Sequence, residues 1–227
     1  MTLAQAPALL EATPYRDFYR GNGMTPDVAE IVATNGHGYL RMLSAPPKTF
    51  RRIRAGDILK LGGRCFEVMT GQGHAPDQIM LYLADSKIFL AADQVIEKIT
   101  PNISVQGFEP ASNPLGEFLE TLKDIKDRVS GDALVLSGHR LPFYGLHERC
   151  EQMITHHDER CDIIRRACSN ATQSAADLMP LVFPQQLTPH EMSFAFTEVL
   201  AHVNHLVDEG ELVWTKDDDL RRVKPAF

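Results

Sequence analysis

Three residues in this chain have side chains and surroundings suited to holding a divalent cation. They are His74 in Gly71-Gln-Gly-His74-Ala-Pro-Asp77, Asp93 in Ala92-Asp93, and His139 in Ser137-Gly-His139. Imidazole nitrogen and carboxylate oxygen are donors that Zn²⁺ and similar ions accept at about 2.0–2.2 Å. Each of the three follows an apolar run, and each has a small neighbour: Gly73, Ala92 or Gly138. A side chain at the end of a strand is held at a fixed place and can face a cleft. Taken singly, each reads as a turn residue; taken together, they suit half of a metal site.

The elements that must position them follow from local pattern. Ile58–Leu61, Gly62-Gly63 and Cys65–Met69 read as a hairpin about a Gly-Gly turn. Residues 79–83 and 87–90 form a second hairpin that runs into Ala92-Asp93. Leu115 to Val129 reads as an amphipathic helix with Phe118, Leu119, Leu122 and Ile125 on one face. A short buried strand, Ala133 to Leu136, leads directly into Ser137-Gly138-His139. Residues 1–50 read as short helices broken by Pro7, Pro14, Pro26 and Pro46-Pro47, with Thr25-Pro26-Asp27 as a helix start and Gly36-His37-Gly38 as its stop. A long helix spans about Leu146 to Cys168. Its apolar stripe is Leu146, Cys150, Met153, Ile154, His157, Cys161 and Ile164. Two further helices, 175–182 and 189–209, precede a closing hairpin at 210–223, the order of a winged-helix module.

Composition narrows the function classes. The chain has 227 residues, 44% hydrophobic and 23% charged, which is enough to bury a core without disulfides. A net charge of -7 supplies no general pull toward nucleic acid or anionic lipid. No run approaches the roughly 20 apolar residues of a membrane helix, and the first residues carry no basic n-region. The four cysteines form no C-x-x-C pair and read as reduced thiols. A cytoplasmic location is the expectation.

The order Gly-His-Ala-Pro-Asp, hairpin, Ala-Asp, Pro114-Leu-Gly helix, strand and Gly-His resembles the C-terminal half of the metallo-β-lactamase fold. The resemblance is to glyoxalase II-like hydrolases with a C-terminal winged helix. It extends through Ile99-Thr-Pro-Asn-Ile-Ser104, Pro142-Phe-Tyr-Gly-Leu-His147 and His156-His157. It implies an α/β fold (an α+β sandwich), the C-terminal part of an αββα arrangement followed by a small helical module. The implied divisions are a lid-like region at 1–50, a sheet region at 51–145, a linking helix at 146–170 and a winged-helix-like module at 171–227. By the same resemblance His74 completes a first metal site, Asp93 bridges two ions, and His139 completes the second. Pro101 and Asn102 lie near the substrate. The implied cofactor is zinc or another divalent metal, two ions in the complete family site. The implied reaction is hydrolysis of a small thioester, ester or lactone by metal-activated water.

The family's H-x-H-x-D-H motif has no counterpart here, since no H-x-H occurs in the chain. The expectation is therefore a chain that begins partway through a larger fold, with one imidazole and a shared carboxylate per ion and weak metal binding. A catalytically inactive remnant serving as an interaction or scaffold module is the competing reading. Other histidines are assigned blander roles. His202 and His205 stand three apart on a helix and are assigned to packing and capping. His147, His156 and His157 are assigned to helix–sheet packing, the adjacent pair diverging by about 100°. His37 is a loop residue. The helix at 189–209 carries Glu191, Glu198, Asp208 and Glu209 but no Lys or Arg, so nucleic acid is disfavoured despite Arg221, Arg222 and Lys224 beyond it. Packing or homodimer formation is the favoured role for this module.

Overall fold

The computed structural model describes residues 12–35, 49–217 and 219–227; His37 and Pro46-Pro47 lie outside them. The chain divides into two compact units.

The first comprises residues 51–104 and 113–159 and carries the sheet. Strands β1 (Ile58–Leu61), β2 (Arg64–Gly71), β3 (Gln78–Leu83), β4 (Ile88–Ala92) and β5 (Leu134–Ser137) lie side by side in chain order. The first three junctions are antiparallel and β4–β5 is parallel. Both residues of the Gly62-Gly63 turn take left-handed φ, at 55° and 77°, which two-residue hairpins of matching twist require. The parallel junction needs a crossover. Helix α3 (Pro114–Arg128) supplies it, capped by Asn113, whose side chain accepts from the Gly116 amide.

Side chains alternate across the sheet. Met69 faces Met80, Tyr82 faces Phe89, and Phe89 faces Val135; with Ala91 they form one buried face. The Tyr82 hydroxyl accepts from the Ser130 amide just past α3. Leu115, Phe118, Leu122 and Ile125 of α3 complete this core, joined by Leu146, Cys150, Met153 and His157. The opposite face is apolar too. A row Val68–Leu81–Leu90–Leu136 runs straight across it, flanked by Phe66, Ile79, Ile88 and Leu134. Apart from the buried Val68, these side chains are only half-buried.

The second unit contains the described parts of residues 1–50, together with 105–112 and 160–227. Helices α1 (Ala12–Gly21) and α2 (Pro26–Asn35) open it. Pro14 does not break a helix as expected. It falls in the first turn of α1, where a backbone N–H has no intrahelical acceptor to lose. Helix α4 (Leu146–Asn170) begins in the sheet unit and ends in this one. Helices α5 (Ala175–Val182) and α6 (Pro189–Asp208) each begin with a reciprocal capping box, Ser174 with Asp177 and Thr188 with Glu191. The hairpin of β6 (Leu212–Asp217) and β7 (Leu220–Pro225) closes the chain. Asn204 of α6 ties this unit together: its amide donates to the Pro110 and Ser112 carbonyls, and its oxygen accepts from Trp214 Nε1. No described helix is long and apolar enough to cross a membrane.

Candidate metal centre

Strand directions bring the three candidate ligands together. Because β2 and β4 both run antiparallel to β3, and β5 runs parallel to β4, the C-terminal ends of β2, β4 and β5 share one edge of the sheet. His74, Asp93 and His139 follow those ends. A distortion of the β4–β5 register falls between Leu90 and Ala92, and Ala92 takes a left-handed φ of 48°. A non-glycine residue in that region costs roughly 1–2 kcal/mol. Here the turn that carries it aims Asp93 across the sheet end.

The Asp93 carboxylate lies between the two imidazoles, one oxygen toward each. Oδ2 is 3.8 Å from His74 Nε2, and Oδ1 is 3.6 Å from His139 Nε2. Both separations are too long for hydrogen bonds. They match two donors on one ion: atoms each about 2.1 Å from a metal lie about 3.4 Å apart at the tetrahedral angle and about 3.6 Å apart at 120°. Asp93 Oδ1 is also buried without a hydrogen-bond partner. An isolated buried carboxylate oxygen is costly, and a cation would satisfy it. The donor set and spacing therefore fit a divalent ion beside each oxygen.

His74 is pre-oriented for this role. Its Nδ1 lies 2.8 Å from the Asn102 carbonyl. A carbonyl only accepts, so Nδ1 carries a proton, and the neutral form of the ring then has its lone pair at Nε2, the nitrogen that faces Asp93. Asn102, expected near the substrate, meets His74 through its backbone carbonyl. Ser104 donates to the Asn102 side-chain oxygen. Arg149 holds the same segment, donating to the Ile96 and Ile99 carbonyls. Pro101 is buried. The His139 side chain is the open member, 65% exposed against 27% for His74 and 31% for Asp93.

The loop before His74 is held closely. Gly73 has φ +94°, and a Cβ there would come within 2.4 Å of Phe118 Cβ and 2.5 Å of the Pro114 carbonyl oxygen. Only glycine fits. Gln72 donates to Asp77 Oδ1 and accepts from the Asp77 amide. Its own amide donates to Thr121 Oγ1 on α3. At β5, the Ser137 hydroxyl donates to the Val95 carbonyl and the Gly138 amide to that of Ala92. None of Gln72, Thr121, Gln94 or Arg149 stands out in the sequence, since polar residues near loops carry no spacing signature.

Four other described histidines, His147, His156, His157 and His202, have partners of their own. His147 Nε2 donates to the Val129 carbonyl and His202 Nδ1 to that of Glu198. His156 and His157, adjacent on α4, were expected to diverge. Their rings meet edge to face at 5.4 Å, and His157 also packs on Phe118.

Comparisons with known proteins agree with this architecture. The family model described as "Metallo-beta-lactamase-like, C-terminal domain" matches residues 161–226. A solved beta-lactamase domain protein from Burkholderia ambifaria is similar at 35% identity with a TM-score of 0.88, over 100% of this chain and 65% of that one. A metallo-beta-lactamase family protein from Thermus thermophilus shares the fold at 24% identity and a TM-score of 0.72, over 92% of this chain and 67% of that one. The chain thus spans about two thirds of the length of these solved proteins. No curated protein matches it.

Proposed function

Since the chain belongs to the metallo-β-lactamase superfamily, we propose that its sheet end serves a glyoxalase II-like hydrolase acting on a small thioester, ester or lactone. The single observation that carries this reading is Asp93, with an imidazole Nε2 at 3.6 and 3.8 Å from its two oxygens and one of those oxygens buried without a partner. His74, Asp93 and His139 would hold divalent cations, zinc being the family's expected ion. Such ions, when bound, lower the pKa of water toward about 7 and stabilise a developing oxyanion. The chain's own contribution is positional. The Asn102 carbonyl fixes the His74 tautomer, the strand ends set the spacing, and the exposed His139 side leaves room for a small substrate.

Catalytic zinc sites use three protein ligands plus water, whereas this arrangement offers one imidazole and one carboxylate oxygen to each ion. The test is hydrolysis of a simple thioester by the chain with and without added Zn²⁺. Zn²⁺-dependent turnover that Asp93→Asn abolishes supports the reading, and turnover unchanged by Asp93→Asn refutes it.

The half-buried apolar face of β2–β5 favours a second reading, an interaction or scaffold module without activity. A sheet face of that composition is stable only when another layer covers it. Charge on the closing hairpin supports packing over nucleic-acid binding: Arg222 pairs with Asp177 at 3.3 Å, and Arg221 lies over the Trp214 ring. Helix α6 is buried along most of its length.

A further inference from the structure

We propose that Gln94 is a positioning residue that ties the His74 loop to the Asp93 loop. This rests on the assignment of those two residues as ligands. Strands β2 and β4 are not neighbours, because β3 lies between them; their ends stand two strand spacings apart, roughly 9–10 Å. No ladder hydrogen bond can join them. The Gln94 side chain spans that gap. It follows Asp93 directly, its backbone amide donates to the Ala91 carbonyl to close the turn, and its Nε2 donates to the Gln72 carbonyl at 3.0 Å.

Gln94 is fully buried. A Cβ on Gly71 would lie 2.7 Å from its amide group, so the side chain occupies a slot shaped around it. Gln72 is thereby held through both of its backbone polar groups, its N–H by Thr121 and its C=O by Gln94. That residue precedes Gly73 and sets where His74 begins. Gln94 Oε1, by contrast, is buried without a hydrogen-bond partner. An apolar side chain of similar length would fill the slot without that unmet acceptor. A buried amide used for one donated hydrogen bond, one residue from one ligand and aimed two residues before another, is placed to fix the His74–Asp93 separation.

The test compares the full chain with Gln94→Met, with Gln94→Glu (which keeps the shape but lacks the N–H donor), and with Leu122→Ala as a packing control in the same core. Two readouts are taken: Co²⁺ affinity from visible absorption, and, without metal, the ring ¹⁵N signals of His74 by NMR. The expected result is an affinity about tenfold weaker in both Gln94 variants, the scale of losing a group that orients a ligand. Their His74 signals move from a single Nδ1–H tautomer toward an average. Leu122→Ala lowers the melting temperature and moves neither readout. Gln94 variants with wild-type affinity and an unchanged His74 signature overturn the proposal. If the wild-type chain takes up no Co²⁺, the metal reading fails, and the His74 signals alone decide the role of Gln94.

Discussion

Gly138→Ala separates ligand geometry from stability. A Cβ at this position would lie 2.3 Å from Asp93 Oδ1 and 3.3 Å from its Cγ. Ordinary contacts begin near 3.3–3.5 Å, so the oxygen must retreat by about 1 Å. Metal–ligand distances tolerate about ±0.2 Å. The displaced oxygen is the one that faces His139 Nε2 at 3.6 Å. A loss of about 10–100-fold in cation affinity is expected, equivalent to about 1.4–2.8 kcal/mol. The fold should not suffer. Gly138 is exposed and is not among the residues with left-handed φ, so alanine adds no backbone strain. It also removes some freedom from the unfolded chain, a stabilisation of about 0.4–1 kcal/mol. The assay is Zn²⁺ or Co²⁺ titration by calorimetry, paired with thermal unfolding of the metal-free protein. Affinity within about twofold of wild type, where the prediction is a loss of at least tenfold, would refute the assignment of Asp93 Oδ1 as a ligand.

Gly73→Ala should behave oppositely: a left-handed φ and a clash with the α3 backbone together cost about 2–5 kcal/mol, read as a lower denaturant midpoint. Asn204→Ala leaves two carbonyls and the Trp214 N–H without their partner, and unfolding should become easier by about 2–3 kcal/mol. The single tryptophan makes its own fluorescence the probe, and an unshifted emission maximum would argue against this bonding. Among the thiols, burial pushes Cys150 up to about 12 and Cys168 to about 11, and Cys161 is buried, whereas Cys65 is exposed. A disulfide reagent near pH 8 should modify one thiol in the native protein and all four after denaturation; rapid native modification of more than one refutes the packing of α4.

Much of the fold is legible because its signals are local. The Gly62-Gly63 hairpin, the Pro at the start of α3, and the apolar stripe of Leu146, Cys150, Met153, Cys161 and Ile164 each lie within a few turns of chain. His74, Asp93 and His139 were singled out by the order of motifs that the resemblance supplies, since each alone reads as a turn residue. Pro14 misleads because a helix-breaking residue is harmless in a first turn, and only the backbone path shows which turn it occupies.

What the amino-acid sequence determined by itself is the set of groups available: two imidazoles, one carboxylate and the elements that end beside them. What the tertiary structure decided is how those groups meet. Strand order puts the ends of β2, β4 and β5 on one edge, the turn at Ala92 swings Asp93 between the histidines, and the Asn102 carbonyl selects the nitrogen His74 presents. Gln94 belongs to this second class too. The physical reason is range. Periodicity and capping act over neighbouring residues, whereas a cation site depends on distances of a few ångströms between positions tens of residues apart, set only when the sheet forms.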